Sequence, residues 1–107
     1  MPALDPPLYT GFDWDSGNEL KSQMKHGVSQ AEAEEIFLGS PLVADDSAHS
    51  GVEARFRALG ETGRGRRLTV VFTVRGSLIR VISARDMNRR ERQRYEEGPE
   101  KDPPLSQ

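Results

Sequence analysis

The stretch RRLTVVFTVRGSLIRVISARD (Arg66–Asp86) decides the fold. Its halves, Leu68–Val74 and Leu78–Ala84, are rich in β-branched residues, and the Arg75-Gly76-Ser77 between them fits only a tight turn. That pattern predicts a pair of antiparallel strands. Upstream, Glu53–Leu59 alternates, with Ala54, Phe56 and Ala58 on one face and Glu53, Arg55 and Arg57 on the other. Pro41–Asp45 reads as a further short extended piece. Before it, Ser29-Gln30-Ala31-Glu32 forms a capping box. The helix it starts has Ala33, Ile36 and Phe37 on one side and ends at Gly39-Ser40-Pro41. An earlier helix, capped by Asp15 or Ser16, runs to about Lys25, with Leu20 and Met24 on one side and Gly27 placed to end it. Phe12-Asp13-Trp14 is extended. Downstream, Asp86 is expected to cap a last helix, about Met87–Glu97, closed by Gly98-Pro99.

The expected architecture is α+β: two N-terminal helices, an antiparallel sheet of about four strands and a C-terminal helix. The helices are expected on one face of the sheet, leaving the other at least partly open. The domain spans residues 11–97, and the proline-rich, polar segments 1–10 and 98–107 read as disordered tails. At 107 residues the chain is long enough for one core. With no cysteine, thiol catalysis, a disulfide framework and cysteine-based zinc sites are excluded. No apolar run reaches a membrane span and no basic-then-apolar leader opens the chain, so the expectation is a soluble cytoplasmic protein.

The net charge of −2 hides an asymmetry. Residues 64–94 hold ten arginines, no lysine and two acids, whereas the flanking segments are both acidic. A compact arginine block in an acidic chain is the pattern expected for contact with phosphates or an acidic partner, because the planar guanidinium grips both anions bidentately. It is also what an arginine-biased solvated surface looks like.

Strand parity gives some of these residues a direction. Glu53 beside Arg55 and Arg57 offers a carboxylate next to fixed cations, the combination that metal-free phosphodiester cleavage requires. The same three residues would equally make a solvent-facing strand with an ordinary ion pair. His49, on the entering loop, has the intrinsic pKa for acid or base work. His26, in Lys25-His26-Gly27, either takes part in chemistry or caps the preceding helix. No histidine pair has ligand spacing, so neither a metal nor another cofactor is expected. Along Leu78–Ala84, alternation puts Arg80 with Leu78 and Ile82, and Arg85 with Ile79, Val81 and Ser83, on opposite faces. On the last helix Arg90 and Arg94 are neighbours, Arg92 is spaced to pair with Glu96, and the only apolar residues are Met87 and Tyr95. Such a helix is expected to be loosely attached or held by another chain.

Together the blocks FDWD, KHGVSQAEAEEIF, DDSAHSGVEARFRALG, RRLTVVFTVRG and IRVISARDMNRRERQRYEE resemble, in order over about residues 12–97, the BrnT family of ribonuclease toxins. The resemblance implies a RelE-like fold and a metal-independent endoribonuclease that cleaves mRNA and blocks translation. It also implies a BrnA-like ribbon–helix–helix antitoxin in a complex of two toxins and two antitoxins, which reaches operator DNA through the antitoxin. Carried across by motif, the catalytic candidates are Lys25, His26, His49, Glu53, Arg55, Arg80 and Arg85. Glu53 or His49 would move the proton, and Arg55, Arg80 and Arg85 would hold phosphate. Arg57, Arg67 and Tyr95 are candidates for RNA contact; Arg89, Arg90, Arg92 and Arg94 are candidates for the partner. The chain departs from the family's usual pattern at Asn18 and Ser22, where lysine and asparagine are common, and at Gln30, where an aromatic is common. The alternatives are a non-catalytic antitoxin–DNA partner and a general nucleic-acid-binding module.

Overall fold

A computed structural model describes residues 9–15, 17, 26–46 and 53–98. Among these the chain forms five strands and two helices. They are β1 (Gly11–Phe12), α1 (Gln30–Leu38), β2 (Leu42–Asp45), β3 (Phe56–Glu61), β4 (Arg67–Arg75), β5 (Leu78–Asp86) and α2 (Arg89–Glu97). The expected α+β class holds. The helix expected to end at Lys25 lies outside the described residues over 18–25, and the tails lie outside over 1–8 and 99–107. Tyr9 and Thr10, which the sequence leaves in the first tail, touch the body: the Tyr9 ring meets Phe12 and Phe37, and the Thr10 amide donates to Ser77 O at 2.8 Å. No helix among the described residues is long and apolar enough to cross a membrane.

The strand order is β1-β5-β4-β3-β2. The β4–β5 hairpin is formed as expected, through Gly76 at φ 62°, a conformation that costs glycine nothing. The sheet departs from expectation in two ways. It has a fifth strand, because Gly11 and Phe12 pair with Leu78 and Ile79, and that pairing is parallel. Strand β3 also begins at Phe56 rather than Glu53 and runs on to Glu61. Ala54, expected in the core, is therefore exposed ahead of the strand.

One face of the sheet carries the core. Phe56, Ala58, Leu68, Val70, Phe72, Ile79, Val81 and Ala84 pack there under Ala33, Ile36 and Phe37 of α1, the three residues the helical spacing selects. Phe37 stands edge-on to Phe72 at 5.2 Å between centroids and to Phe12 at 5.6 Å. The helix is seated by Ser29 and Glu32, whose capping box is complete. Arg66 then ties this corner together, donating to Asp86 at 2.8 Å, to Glu32 at 3.2 Å and to the Gly27 carbonyl at 2.9 Å. Sequence reading gave Arg66 no role.

Strand β5 contains a bulge. Val71 pairs with Ser83 and Phe72 with Val81, so Ile82 is passed over. One extra residue reverses the alternation beyond it. Arg80 opposes Thr73 and Arg85 opposes Thr69, and Thr69 and Thr73 share a face of β4. The expectation that Arg80 and Arg85 point to opposite faces is thus overturned: both lie opposite the core.

The C-terminal helix also differs. Its N-cap is Asn88, with Glu91 completing a capping box, while Asp86 ends β5 and binds Arg66. It meets the arginine face through buried Glu91, so the two described helices lie on opposite faces and not on one. Arg92 donates to the Met87 carbonyl, and Glu96, its expected partner, binds Arg67 at 2.7 Å.

Gly60 allows α1 its close approach, since a Cβ there would stand 2.7 Å from the Ile36 Cβ. Gly60→Ala should therefore lower unfolding stability by about 1–3 kcal/mol, the usual cost of overpacking, measured as a reduced urea midpoint at unchanged slope.

Candidate active site

The face opposite the core is built from the other parity of the same strands: Arg57 on β3, Thr69, Val71 and Thr73 on β4, and Arg80 and Arg85 on β5. Arg55, just before β3, joins them. Helix α2 covers one end. The uncovered part holds two adjoining depressions. The first is lined by Glu53, Arg55, Arg75, Arg80 and Ile82, with Gly17 and Val81. The second is lined by Asp46, Arg55, Arg57, Ile82, Ser83 and Arg85, with Val71. Arg55 and the bulge residue Ile82 belong to both.

Arg57, Arg75, Arg80 and Arg85 are each held by carboxylates. Arg80 reaches Asp15 at 3.0 Å and Asp13 at 3.5 Å. Arg75 binds Glu53 at 3.2 Å. Arg57 binds buried Asp46 at 3.2 Å. Arg85 meets Glu91 through both terminal nitrogens, at 2.7 and 2.9 Å. A guanidinium has five N–H donors, so one carboxylate leaves others to present to a phosphate. The Arg75 hydrogen bonds hold the exposed Glu53 carboxyl below the usual carboxylate range. Burial opposes the charge on Glu91, but the hydrogen bonds from Arg85 and the Asn88 amide outweigh it, and its pKa is also lowered.

Of the residues singled out from sequence, the fold gathers Glu53, Arg55, Arg57, Arg80 and Arg85 around the depressions. Arg67 and Tyr95 lie at the other end of the face, the guanidinium 5.5 Å from the ring centroid, where Arg67 also pairs with Glu61 and Glu96 and helps fasten α2. His26 is exposed, its carbonyl accepting from Arg66, and it lines neither depression. Lys25 and His49 lie outside the described residues. Arg89, Arg90 and Arg92 are exposed on α2, whereas Arg94 is half-buried and donates to the Gly98 carbonyl. Arg90 and Arg94 rim a groove over Leu42, Ala44 and Leu59.

Sequence reasoning missed Arg75, Asp13, Asp15, Asp46 and Glu91. The Asn88-x-x-Glu91 spacing was a readable capping signal, since it satisfies the same rule as Ser29 and Glu32. The aspartates carried no local signal, because their partners are distant in sequence.

An arginine-lined sheet face, four of its guanidiniums held by carboxylates, thus lies opposite a single core. The family model for the ribonuclease toxin BrnT of type II toxin–antitoxin systems matches residues 14–91, and the chain belongs to that family. No curated protein matches it. Membership makes it a toxin of a ribonuclease family with an antitoxin partner.

A carboxyl whose pKa is lower folded than unfolded stabilises the fold at neutral pH and loses that contribution as pH falls through the folded value. Glu91 is such a group. Between about pH 5 and pH 3 the melting temperature should therefore fall more steeply in the wild-type chain than in Glu91→Gln, measured by thermal scans across that range.

Proposed function

We propose that this chain is an endoribonuclease with a RelE-like fold that cleaves mRNA without a metal ion. The ribose 2′-oxygen attacks the adjacent phosphorus, the phosphorus–5′-oxygen bond breaks, and a cyclic phosphate and a 5′-hydroxyl result. The observation that carries this reading is the first depression, which Glu53, Arg55, Arg75 and Arg80 line together. Guanidiniums stay charged at any working pH, so they stabilise the charge on the phosphate oxygens and leave proton transfer to another group. Arg85 and Arg57, in the adjoining depression, supply cations for the same strand of RNA. In this reading the toxin acts in the cytoplasm. A BrnA-like ribbon–helix–helix antitoxin binds it, two of each chain per complex, and carries it to operator DNA. The outward arginines of α2, Arg89, Arg90 and Arg92, are the surface offered to that partner. The domain occupies residues 11–97, with Tyr9 and Thr10 joined to its body.

Purified protein should degrade RNA in EDTA, and Arg55→Ala and Arg80→Ala should each lower turnover by about 10²–10³-fold, the usual effect of losing a donor to developing charge. Intact RNA with the wild-type protein would overturn the reading, and salt-sensitive RNA retention without cleavage would make the chain a binding module.

Glu53 and His49 are the two candidates for the base, and pH separates them. Arg75 keeps the Glu53 carboxyl ionised well into acid, whereas an unperturbed imidazole titrates at about 6.5. If Glu53 is the base, kcat/KM holds as pH falls to about 5; if histidine, it declines tenfold per unit below about 6.5 and Glu53→Gln leaves the limb in place.

A further inference from the structure

Glu91 is an anomaly of α2. The helix is dominated by charged residues, and its other carboxylates, Glu96 and Glu97, are exposed, yet the Glu91 residue is only 6% exposed. Capping does not require this. Glu32 occupies the same capping-box position in α1 and also binds an arginine, but its side chain is 30% exposed and Arg66 lines neither depression. Burying a carboxylate costs several kcal/mol unless its partners are well placed.

Around Glu91 they are. Oε1 accepts from Arg85 Nη1 at 2.7 Å and from the Asn88 amide at 2.9 Å, and Oε2 accepts from Arg85 Nη2 at 2.9 Å. Arg57 Nη1 stands 3.8 Å from Oε2, while its Nη2 is held by Asp46. Both arginines line the second depression. Without the carboxylate, Arg57 would keep Asp46 and Arg85 would keep the Asp86 carbonyl, but nothing would hold the two guanidiniums relative to each other, and like charges would drive them apart.

We propose that Glu91 is a positioning residue for the phosphate-binding face: it fixes the Arg85 and Arg57 guanidiniums in the direction in which they meet RNA. This rests on the ribonuclease reading above and adds to it a residue that never touches substrate. The capping box makes the device rigid, because the carboxylate that aims the arginines also starts the helix. The hydrogen bonds that Arg85 donates to Glu91 raise the Arg85 pKa, in keeping with a tightly matched pair.

The test is Glu91→Gln, which keeps an acceptor for the Asn88 amide and the side-chain shape but removes the charge. Turnover of RNA should fall roughly 100-fold, the scale of a misplaced catalytic contact, while RNA affinity at low salt holds or tightens because an anion has left the face. A merely structural role would lower affinity and folded fraction together with turnover, and that result overturns the proposal. In an Arg57→Ala, Arg85→Ala background Glu91→Gln should cost little further, and additive losses would likewise overturn it. Glu97→Gln, exposed on the same helix, serves as the neutral control.

An arm independent of cleavage separates this proposal from the ribonuclease reading. If wild-type protein leaves RNA intact, that reading fails. NMR of the arginine side chains still decides on Glu91: hindered rotation of the Arg85 guanidinium in the wild type and its loss in Glu91→Gln support the proposal, and unchanged signals refute it.

Discussion

Strand β5 carries one residue more than its neighbour can pair, and the two faces of the molecule depend on where that residue falls. With strict alternation from Leu78 to Asp86, either Arg80 or Arg85 would point into the core, where an arginine without a buried partner is untenable. The bulge at Ile82 removes the conflict. Ile79 and Val81 before it, and Ala84 after it, all reach the core, while Arg80 and Arg85 both face away. The local distortion lies where the two depressions adjoin, and Ile82 lines both. Bulges recur beside functional sites because an extra residue re-aims side chains without breaking the sheet. Here it converts a strand whose sequence separates its arginines into one that aligns them.

Aligning cations creates an electrostatic cost, and the carboxylates offset it. Arg80, Arg75, Arg57 and Arg85 are met by acids from separate parts of the chain: Asp13 and Asp15 beyond β1, Glu53 before β3, Asp46 after β2, and Glu91 on α2. The face is therefore ordered before any ligand arrives. A phosphate bound as proposed would meet donors already oriented, which is the condition under which such groups stabilise developing charge effectively. The acids also limit how strongly the face attracts polyanions in general, favouring a phosphate that reaches the unused N–H groups over diffuse attraction.

Much of this frame was readable from residues alone, and the failures share one physical cause. The capping box at Ser29 and Glu32, the buried side of α1, the β4–β5 hairpin and the grouping of Arg55 and Arg57 are local patterns, and local patterns are what periodicity reports. What escaped depends on contacts between distant segments. The parallel pairing of Gly11 and Phe12 with β5 brings together residues more than sixty positions apart, through backbone groups that leave no side-chain signature. The bulge is a matter of register against β4, invisible in β5 alone. The start of β3 was placed early because Ala54 satisfied the alternation, although strand pairing begins only at Phe56.

The same reasoning changes the relation between α2 and its partner. Counting apolar residues gives a helix with little to bury, one either loosely attached or held by another chain. The counted residues fasten it only together with charged ones. Met87 is buried just ahead of its first turn, Glu91 makes a buried ion pair in that turn, and in its last turn Arg67 grips Glu96 while standing over Tyr95. Helix docking by charge is weaker per contact than docking by apolar burial and depends more on pH and, where exposed, on salt, but it leaves the outer surface of the helix uncommitted. Arg89, Arg90 and Arg92 remain exposed on a helix already in place. If the antitoxin binds there as proposed, it meets a preformed cationic surface, and the ordering of α2 does not have to come out of the binding free energy. Because Glu91 lies on that helix and touches Arg85, contact on its outer side and the geometry of the proposed phosphate-binding face are joined through one short element.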